Sequence, residues 1–394
     1  MHRVHSATLF PTEQPLARDQ MIGRETDVEE LVTQLESGVH RIVAAPRRTG
    51  KSSVCQAVVA ALRDRGFYTV SVSLFRLTDG PALARGLAAE TLANRDGLHK
   101  LVQRARGTAG FILRGAGLAL MLRVKSELGD AVEMAFDPTA ISKLDVQGAI
   151  DSAFRLPQAI AERDERRLIL FIDEMQELAG RRKPYGEPDA LLGRIREILH
   201  ESPRVSCLFA GSIEHLMRDI FTSTRRPMAG FGGFHELRPI DEQQWRIGLV
   251  DRFEKDGCTI DDDALTRIIH AGEEHPRSTM LIAQQTHVGA VEEGTHAIDL
   301  VLAERGFRST MLAEQTRHVD LVDRIRALGA TALLVSRRLA AGEAPYRAAT
   351  EAKSVKRGLD ALALAGVVSR RGRGGWYISD PLLARYIREN LATA

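Results

Sequence analysis

Short continuous apolar runs alternate along the first 240 residues with stretches whose apolar positions recur every three or four residues. This is the pattern of buried parallel strands joined by helices. The runs Ile42-Val43-Ala44, Phe67–Phe75, Leu168–Ile172, Val205–Ser212 and Phe234–Pro239 predict five strands. Between them, Val28, Leu31, Val32 and Leu35 form one helical face, and Val54, Val58 and Leu62 another. Thr26 with Glu29 three residues on suits a capping box for the first of these helices. Residues 80–165 are helical by pattern and read as a long insertion between strands. Residues 1–20 show no periodicity and read as an irregular arm.

Beyond residue 240 the pattern is helical only. Asp241 can cap a helix that buries Trp245, Leu249 and Phe253, Asp263 opens one with Leu265, Ile268 and Ile269, and Glu274–Ile282 begins a third. From residue 319 a separate pattern follows. A helix over Asp320–Ala340 and a short one over Tyr346–Glu351 precede a third over Lys353–Ala365, with Val355, Leu359 and Leu362 on one face. Two β segments, Val367–Arg370 and Trp376–Ser379, flank Arg371–Gly375. Helix, helix, helix, hairpin is the order of a winged helix-turn-helix. The expected organisation is an arm (1–20), an α/β domain (21–240), a helical lid (241–318) and a winged-helix domain (319–394).

The composition does little to alter this picture. Of 394 residues, 27% are charged and 44% hydrophobic, the balance of an ordinary globular chain with ample material for its cores. A net charge of +2 carries no global nucleic-acid signal, so any such signal must be local. Cys55, Cys207 and Cys258 lie far apart without metal-ligand spacing and read as buried thiols in a reducing cytoplasm. The most membrane-like segment, Phe111–Leu122, is too short to span a bilayer and carries Arg114, so no membrane role is expected. It reads as a buried or partner-facing helix.

Chemistry concentrates at two strand ends. After Ile42-Val43-Ala44 comes Ala45-Pro46-Arg47-Arg48-Thr49-Gly50-Lys51-Ser52-Ser53, a phosphate-binding P-loop with Ala45 in place of the usual first glycine. Gly50 lets the backbone wrap a phosphate so that N–H groups and a helix N-terminus face the anion. Lys51 reaches the β- and γ-phosphates, and the Ser52 hydroxyl ligates Mg²⁺. The run ending in Asp173-Glu174 fits a buried parallel strand with carboxylates at its carboxyl end, where α/β sheets bind ligands. Asp173 would hold Mg²⁺ and Glu174 would act as general base on water.

Three further readings each have two sides. Ser212, ending a strand placed between the two motifs, either senses the γ-phosphate or closes a Gly-Ser turn. Arg277 sits just inside a helix N-terminus, against the macrodipole, and either points at phosphate or lies on the surface. Lys353, Lys356 and Arg357, with Arg371 and Arg373 at the hairpin tip, form a basic face. From Pro345 to Asp380 there are seven Lys/Arg against three Asp/Glu. That face either meets duplex DNA or is a solvated surface of a domain that packs on an ATPase core.

Taken in order, Gly23-Arg24-Glu25, Pro46–Ser52, Ile172-Asp173-Glu174, Gly211-Ser212 and Pro276-Arg277 resemble the archaeal-type P-loop ATPases, near the STAND proteins and the AAA+ origin-recognition initiators. The resemblance spans residues 20–394. It implies a five-stranded ASCE sheet, a helical lid and a C-terminal winged helix. It also implies an adenine-side role for Gly23 and Arg24, and sensor positions at Ser212 and Arg277. Such relatives carry Gly-Arg before the fifth strand where this chain has Gly230-Phe231, which leaves Arg225 and Arg226 as the nearest trans-acting arginines. The function expected is slow ATP hydrolysis serving a nucleotide-dependent switch, with ATP and Mg²⁺ as ligands and a protein partner or second copy as its target. The other readings are a DNA-binding regulator, and a scaffold that docks a partner on residues 80–165.

Overall fold

The computed structural model describes residues 5–94, 146–179, 185–346, 351–370 and 375–391. The chain divides into two compact units. One comprises residues 27–44 and 54–236, the other 1–26, 45–53 and 237–394.

The first unit is built on a parallel sheet of β1 (Arg41–Ala44), β2 (Tyr68–Ser73), β3 (Leu168–Asp173), β4 (Val205–Gly211) and β5 (Gly233–Phe234), in the order β2-β3-β4-β1-β5. The fold is therefore α/β with the expected five-stranded sheet. β4 does lie between β1 and β3, with Ala44 opposite Gly211 and Ile172 opposite Phe209. β3 is apolar at every position from Leu168 to Ile172 because helices cover both faces, and all five side chains are buried. Each such burial contributes roughly 2 kcal/mol.

The helices α4 (Gly80–Leu92) and α5 (Val146–Arg163) stand at the two ends of the expected insertion, and α6 (Pro188–His200) and α7 (Glu214–Thr222) follow β3 and β4. Both belong to the main core, with Leu83, Leu87, Ile150 and Phe154 buried in the same cluster as β2 and β3. Phe111–Leu122 lies outside the described residues. The fifth strand is shorter than its pattern suggested. It starts after Gly232, whose φ is +95°, and keeps only one further ladder contact, from the His235 N–H to the Ile42 carbonyl at 2.8 Å. β2 likewise stops at Ser73, where a 3₁₀ turn over Leu74–Arg76 takes over.

The second unit is helical. α8 (Glu242–Glu254), α9 (Asp262–Ala271), α10 (Pro276–Glu293) and α11 (Leu300–Ala313) bury Trp245, Leu249, Phe253, Ile268 and Ile282 in one core. Two short strands, β6 (Thr259–Ile260) and β7 (Ala297–Ile298), pair parallel inside it, which the periodicity did not show. α9 is capped by Asp261, two residues earlier than expected, through the Ala264 N–H at 2.6 Å.

The amino-terminal arm is not irregular. Ser6–Leu9 forms a helical turn, α1, and Leu9 and Phe10 are buried in the helical core. Gln284 and Arg252 donate to the Phe10 and Leu9 carbonyls. α2 (Glu25–Glu36) begins one residue before Thr26, so Thr26 is inside the helix and not its cap.

The carboxyl-terminal part continues with α12 (Gln315–Ala327) and α13 (Ala330–Ala340), which were expected as one helix. Gly329, at φ +109°, breaks them apart. α14 (Ala352–Leu364) buries Val355, Leu359 and Leu362, and its Gly358 allows a close approach to Ala332 of α13. β8 (Val368–Arg370) and β9 (Trp376–Ile378) form an antiparallel hairpin, and α15 (Pro381–Asn390) closes the segment. Residues 347–350 of the expected short helix, and Arg371 and Arg373, lie outside the described residues. Among the described residues, no helix is long and apolar enough to cross a membrane.

Candidate nucleotide site

The loop after β1 combines two left-handed residues with one buried cation. Arg48 has φ +72° and Gly50 φ +88°, and the helix α3 (Lys51–Asp64) starts directly on Lys51. Left-handed residues spaced in this way turn peptide N–H groups into an anion-binding concavity, which the helix N-terminus extends. Lys51 is only 4% exposed, although a Lys is rarely buried without an acidic or anionic reason. Ala45 and Pro46 are buried, Arg47 and Arg48 are exposed, and Ser52 is half-buried. Thr49 Oγ1 donates to the Pro46 carbonyl at 2.8 Å, which closes the turn. Ser53 Oγ accepts the Leu16 N–H at 3.0 Å, tying the arm to the loop's helix.

Gly23 and Arg24 hold this loop from the side. Gly23 has φ +63°, a left-handed conformation that glycine adopts without strain, and a Cβ there would press on Gln244 and Ile240 at 2.7 and 2.9 Å. The buried Arg24 guanidinium donates to the Thr49 carbonyl at 3.0 Å and to the Arg238 carbonyl at 2.5 Å. The structure thus gives Arg24 a positioning contact on the P-loop backbone. A cavity of about 510 Å³ borders Gly23, but it is lined by α8 residues such as Gln244, Gly248 and Arg252 and by none of residues 45–53.

Arg48 also forms a long ion pair with Asp380 at 3.8 Å. Asp380 caps α15 through the Leu382 N–H at 3.0 Å and accepts Arg317 at 2.8 Å. Arg317 pairs in turn with Glu314, which takes Arg277 in a two-pronged pair at 2.8 and 3.0 Å. The awkward placement of Arg277 at a helix N-terminus is therefore offset here by Glu314. Burial pushes the Asp380 carboxyl up, but Arg317, then His275 and His318, draw it lower overall. His275 caps α10 by accepting the Ser278 N–H, and burial pushes its pKa down to about 4.

In the sheet unit, Asp173 ends β3 and accepts the Glu174 N–H at 3.0 Å. Glu174 has φ +57°, a strained left-handed conformation for a non-glycine residue. Its Oε2 accepts the Ser212 hydroxyl at 2.7 Å and the Ser212 N–H at 3.3 Å. Gln176 donates to the same oxygen. Ser212 thus sits on Glu174, while Gln176 is a site residue that the sequence reasoning missed. Its one sequence mark is that it lies two residues past Glu174, inside the 3₁₀ turn over Met175–Ala179 that follows the strand.

Of the two arginines considered as trans-acting, Arg226 is committed to Asp189 and Asp219, at 2.8 and 2.6 Å, and Arg225 is exposed. Lys353, Lys356 and Arg357 are exposed on α14.

The sequence matches no protein-family model and no curated protein. Solved structures do match its fold. A Walker-type ATPase of Pyrococcus abyssi superposes with a TM-score of 0.69 at 16% identity, covering 96% of this chain and 99% of that one. The ORC2 protein of Aeropyrum pernix, in its ADPNP-ADP complexes, gives a TM-score of 0.56 at 14% identity over 98% of this chain and 96% of that one. Its ADP form gives 0.51 at 13% identity over the same shares. The chain has the fold of these archaeal proteins.

Proposed function

We propose that this protein binds ATP and hydrolyses it slowly, as a nucleotide-dependent switch. The observation that carries the reading is the loop at residues 45–51, where left-handed Arg48 and Gly50 lead into a helix that begins on a buried Lys51. The strands run parallel, so the loop that continues β1 and the acids that end β3 leave the sheet at the same edge.

In this reading the backbone of Pro46–Gly50 and the first turn of α3 cradle the phosphates, and Lys51 neutralises the outer two. Ser52 and Asp173 are the residues that would hold Mg²⁺, a hydroxyl and a carboxylate that suit a hard cation. When bound, that ion supplies positive charge against the phosphate oxygens. Glu174 takes a proton from the attacking water. Ser212 and Gln176 hold Glu174 until the γ-phosphate competes for them, which keeps hydrolysis slow. The chain Arg48–Asp380–Arg317–Glu314–Arg277 supplies the switch, because phosphate competes with the carboxylates for Arg48 and Arg277. Helical-lid and winged-helix roles for 241–318 and 319–394 follow from the same reading.

Replacing Lys51 with Ala tests it. The variant is expected to keep its fold by circular dichroism and to bind ATP–Mg²⁺ at least about 100-fold more weakly, as loss of a buried charge-assisted contact implies. Unchanged affinity in a folded Lys51→Ala protein would remove the loop from the mechanism.

A second reading, duplex DNA binding, is favoured by the exposed Lys353, Lys356 and Arg357 on one face of α14. Here log K against log salt is expected to lose about 3 units of slope when all three become Ala. Absence of duplex binding by the wild-type chain at low salt would instead leave α14 as a protein-contact face.

A further inference from the structure

The tightest grouping of metal-ligating side chains among the described residues lies in the helical unit, remote in sequence from the P-loop and its acids. α8 ends in a turn where Gly257, at φ +72°, separates Asp256 from Cys258. This turn closes through the Cys258 N–H on the Phe253 carbonyl at 3.0 Å, so both side chains project from one short segment. His287 comes from the middle of α10 and is wholly buried; the Asp256 side chain is 3% exposed and Cys258 1%. The donor atoms of Asp256, Cys258 and His287 all lie within 4.8 Å of one another.

The details fit a ligand set better than an ordinary core polar pair. His287 Nε2 lies 3.0 Å from Asp256 Oδ2, a separation that two ligands of one ion also show. Its other nitrogen, Nδ1, lies 2.8 Å from Ser6 Oγ. The Ser6 hydroxyl can accept from an Nδ1–H, the role that the outer partner of a metal-bound imidazole plays. A fourth donor is adjacent. His296 precedes β7, its carbonyl accepts the Thr259 N–H at 2.8 Å, and its Nδ1 is 3.9 Å from Cys258 Sγ. The rings of Phe10 and Phe253 stand 5.9 and 6.3 Å from the His287 ring and make the surroundings apolar.

Charge decides between readings. Taking a carboxylate and a thiolate out of water together is costly unless they share a cation. A divalent ion held by one carboxylate, one thiolate and neutral imidazoles brings the cluster to zero net charge. We propose that Asp256, Cys258, His287 and His296 form a structural site for one divalent transition-metal ion, zinc being the ion that this oxygen, sulfur and nitrogen set suits. On binding, the Cys258 thiol gives up its proton to solvent, a sulfur–metal bond forms, and no electron is transferred. The site would tie the arm, the turn after α8, α10 and β7 together.

Cobalt(II) alone, added to the full chain after chelator treatment and without nucleotide, tests the site. One equivalent is expected to produce a near-ultraviolet thiolate-to-cobalt band and intense visible bands of tetrahedral cobalt, and one equivalent of zinc to abolish both. Cys258→Ser is expected to lose the thiolate band although Cys55 and Cys207 remain. His296→Ala, at an exposed position, keeps the fold and is expected to weaken cobalt binding at least about 10-fold. Absence of the thiolate band in the wild type, its survival in Cys258→Ser, or unchanged affinity in His296→Ala would each overturn the proposal.

Discussion

Two glutamates, one in each unit, are held in opposite ways. Glu174 accepts hydrogen bonds from uncharged donors, the Ser212 hydroxyl and N–H and the Gln176 amide, on a backbone strained at φ +57°. Glu314 is 9% exposed and clamped between Arg277 and Arg317. A carboxylate held by neutral donors keeps its charge for a water molecule. One held by two guanidinium groups has its charge committed to holding helices together. In the proposed reading the strained first glutamate does the chemistry, and the ion pairs make the second a link.

The comparison can be broken most sharply at Glu174. Glu174→Gln is expected to leave ATP binding intact and slow single-turnover hydrolysis by about 10²- to 10⁴-fold, the span of general-base catalysis. Undiminished turnover would make Glu174 as structural as Glu314. The reciprocal change, Glu314→Gln, is expected to leave chemistry intact in the bound state while exposing two arginines without their shared acid. Breaking a buried pair of this kind costs about 3 kcal/mol, visible as a lower thermal midpoint. If phosphate competes for Arg277, saturating ATP should raise that midpoint more in Glu314→Gln than in the wild type. Equal shifts would confine Arg277 to structure.

A smaller effect comes from His275, which belongs to the same linked group as Glu314. Its pKa falls from 6.5 to about 4 on folding because burial disfavours the cation. The unfolded chain therefore takes up the proton first. The contribution of His275 is fully present above pH 6.5 and is withdrawn as pH drops toward 4, by roughly 3 kcal/mol in all. His275→Asn retains a cap for α10, and its unfolding free energy is expected to vary less between pH 6.5 and 4.5 by most of that amount. Denaturant melts at several pH values measure this. An equal slope in both proteins would assign the acid sensitivity elsewhere.

What could be read from the sequence was local. The β1 loop and the β3 acids follow from short apolar runs and from residues adjacent in the chain, whereas the interior position of β4 came only with the resemblance to P-loop sheets. The Gly23-Arg24 pair was visible too, but not its contacts, because the Thr49 and Arg238 carbonyls are backbone groups with no sequence mark. Arg277 looked unsatisfied only because Glu314 lies a whole helix away. Asp256 and Cys258 showed no metal spacing because His287 arrives on the next long helix but one. The break at Gly329 was missed since apolar periodicity runs on through it. Leu9 and Phe10 were too few to show any period, and their burial depends on α8 and α10 alone.

The interior place of β4 also governs when the sheet can close. β1 borders only β4 and β5, so Arg41 waits for Leu208 and Ile42 for Phe234. During synthesis at about 5–20 residues per second, β1 and the loop that continues it therefore remain without strand partners for roughly 10–30 s. β2 and β3 pair with each other earlier, but β1 cannot join them directly. A chain cut short before Val205 carries every residue of the loop after β1 and still has no strand beside β1 on which to hang it, so the loop's geometry is a product of the last strands of the sheet to emerge from the ribosome.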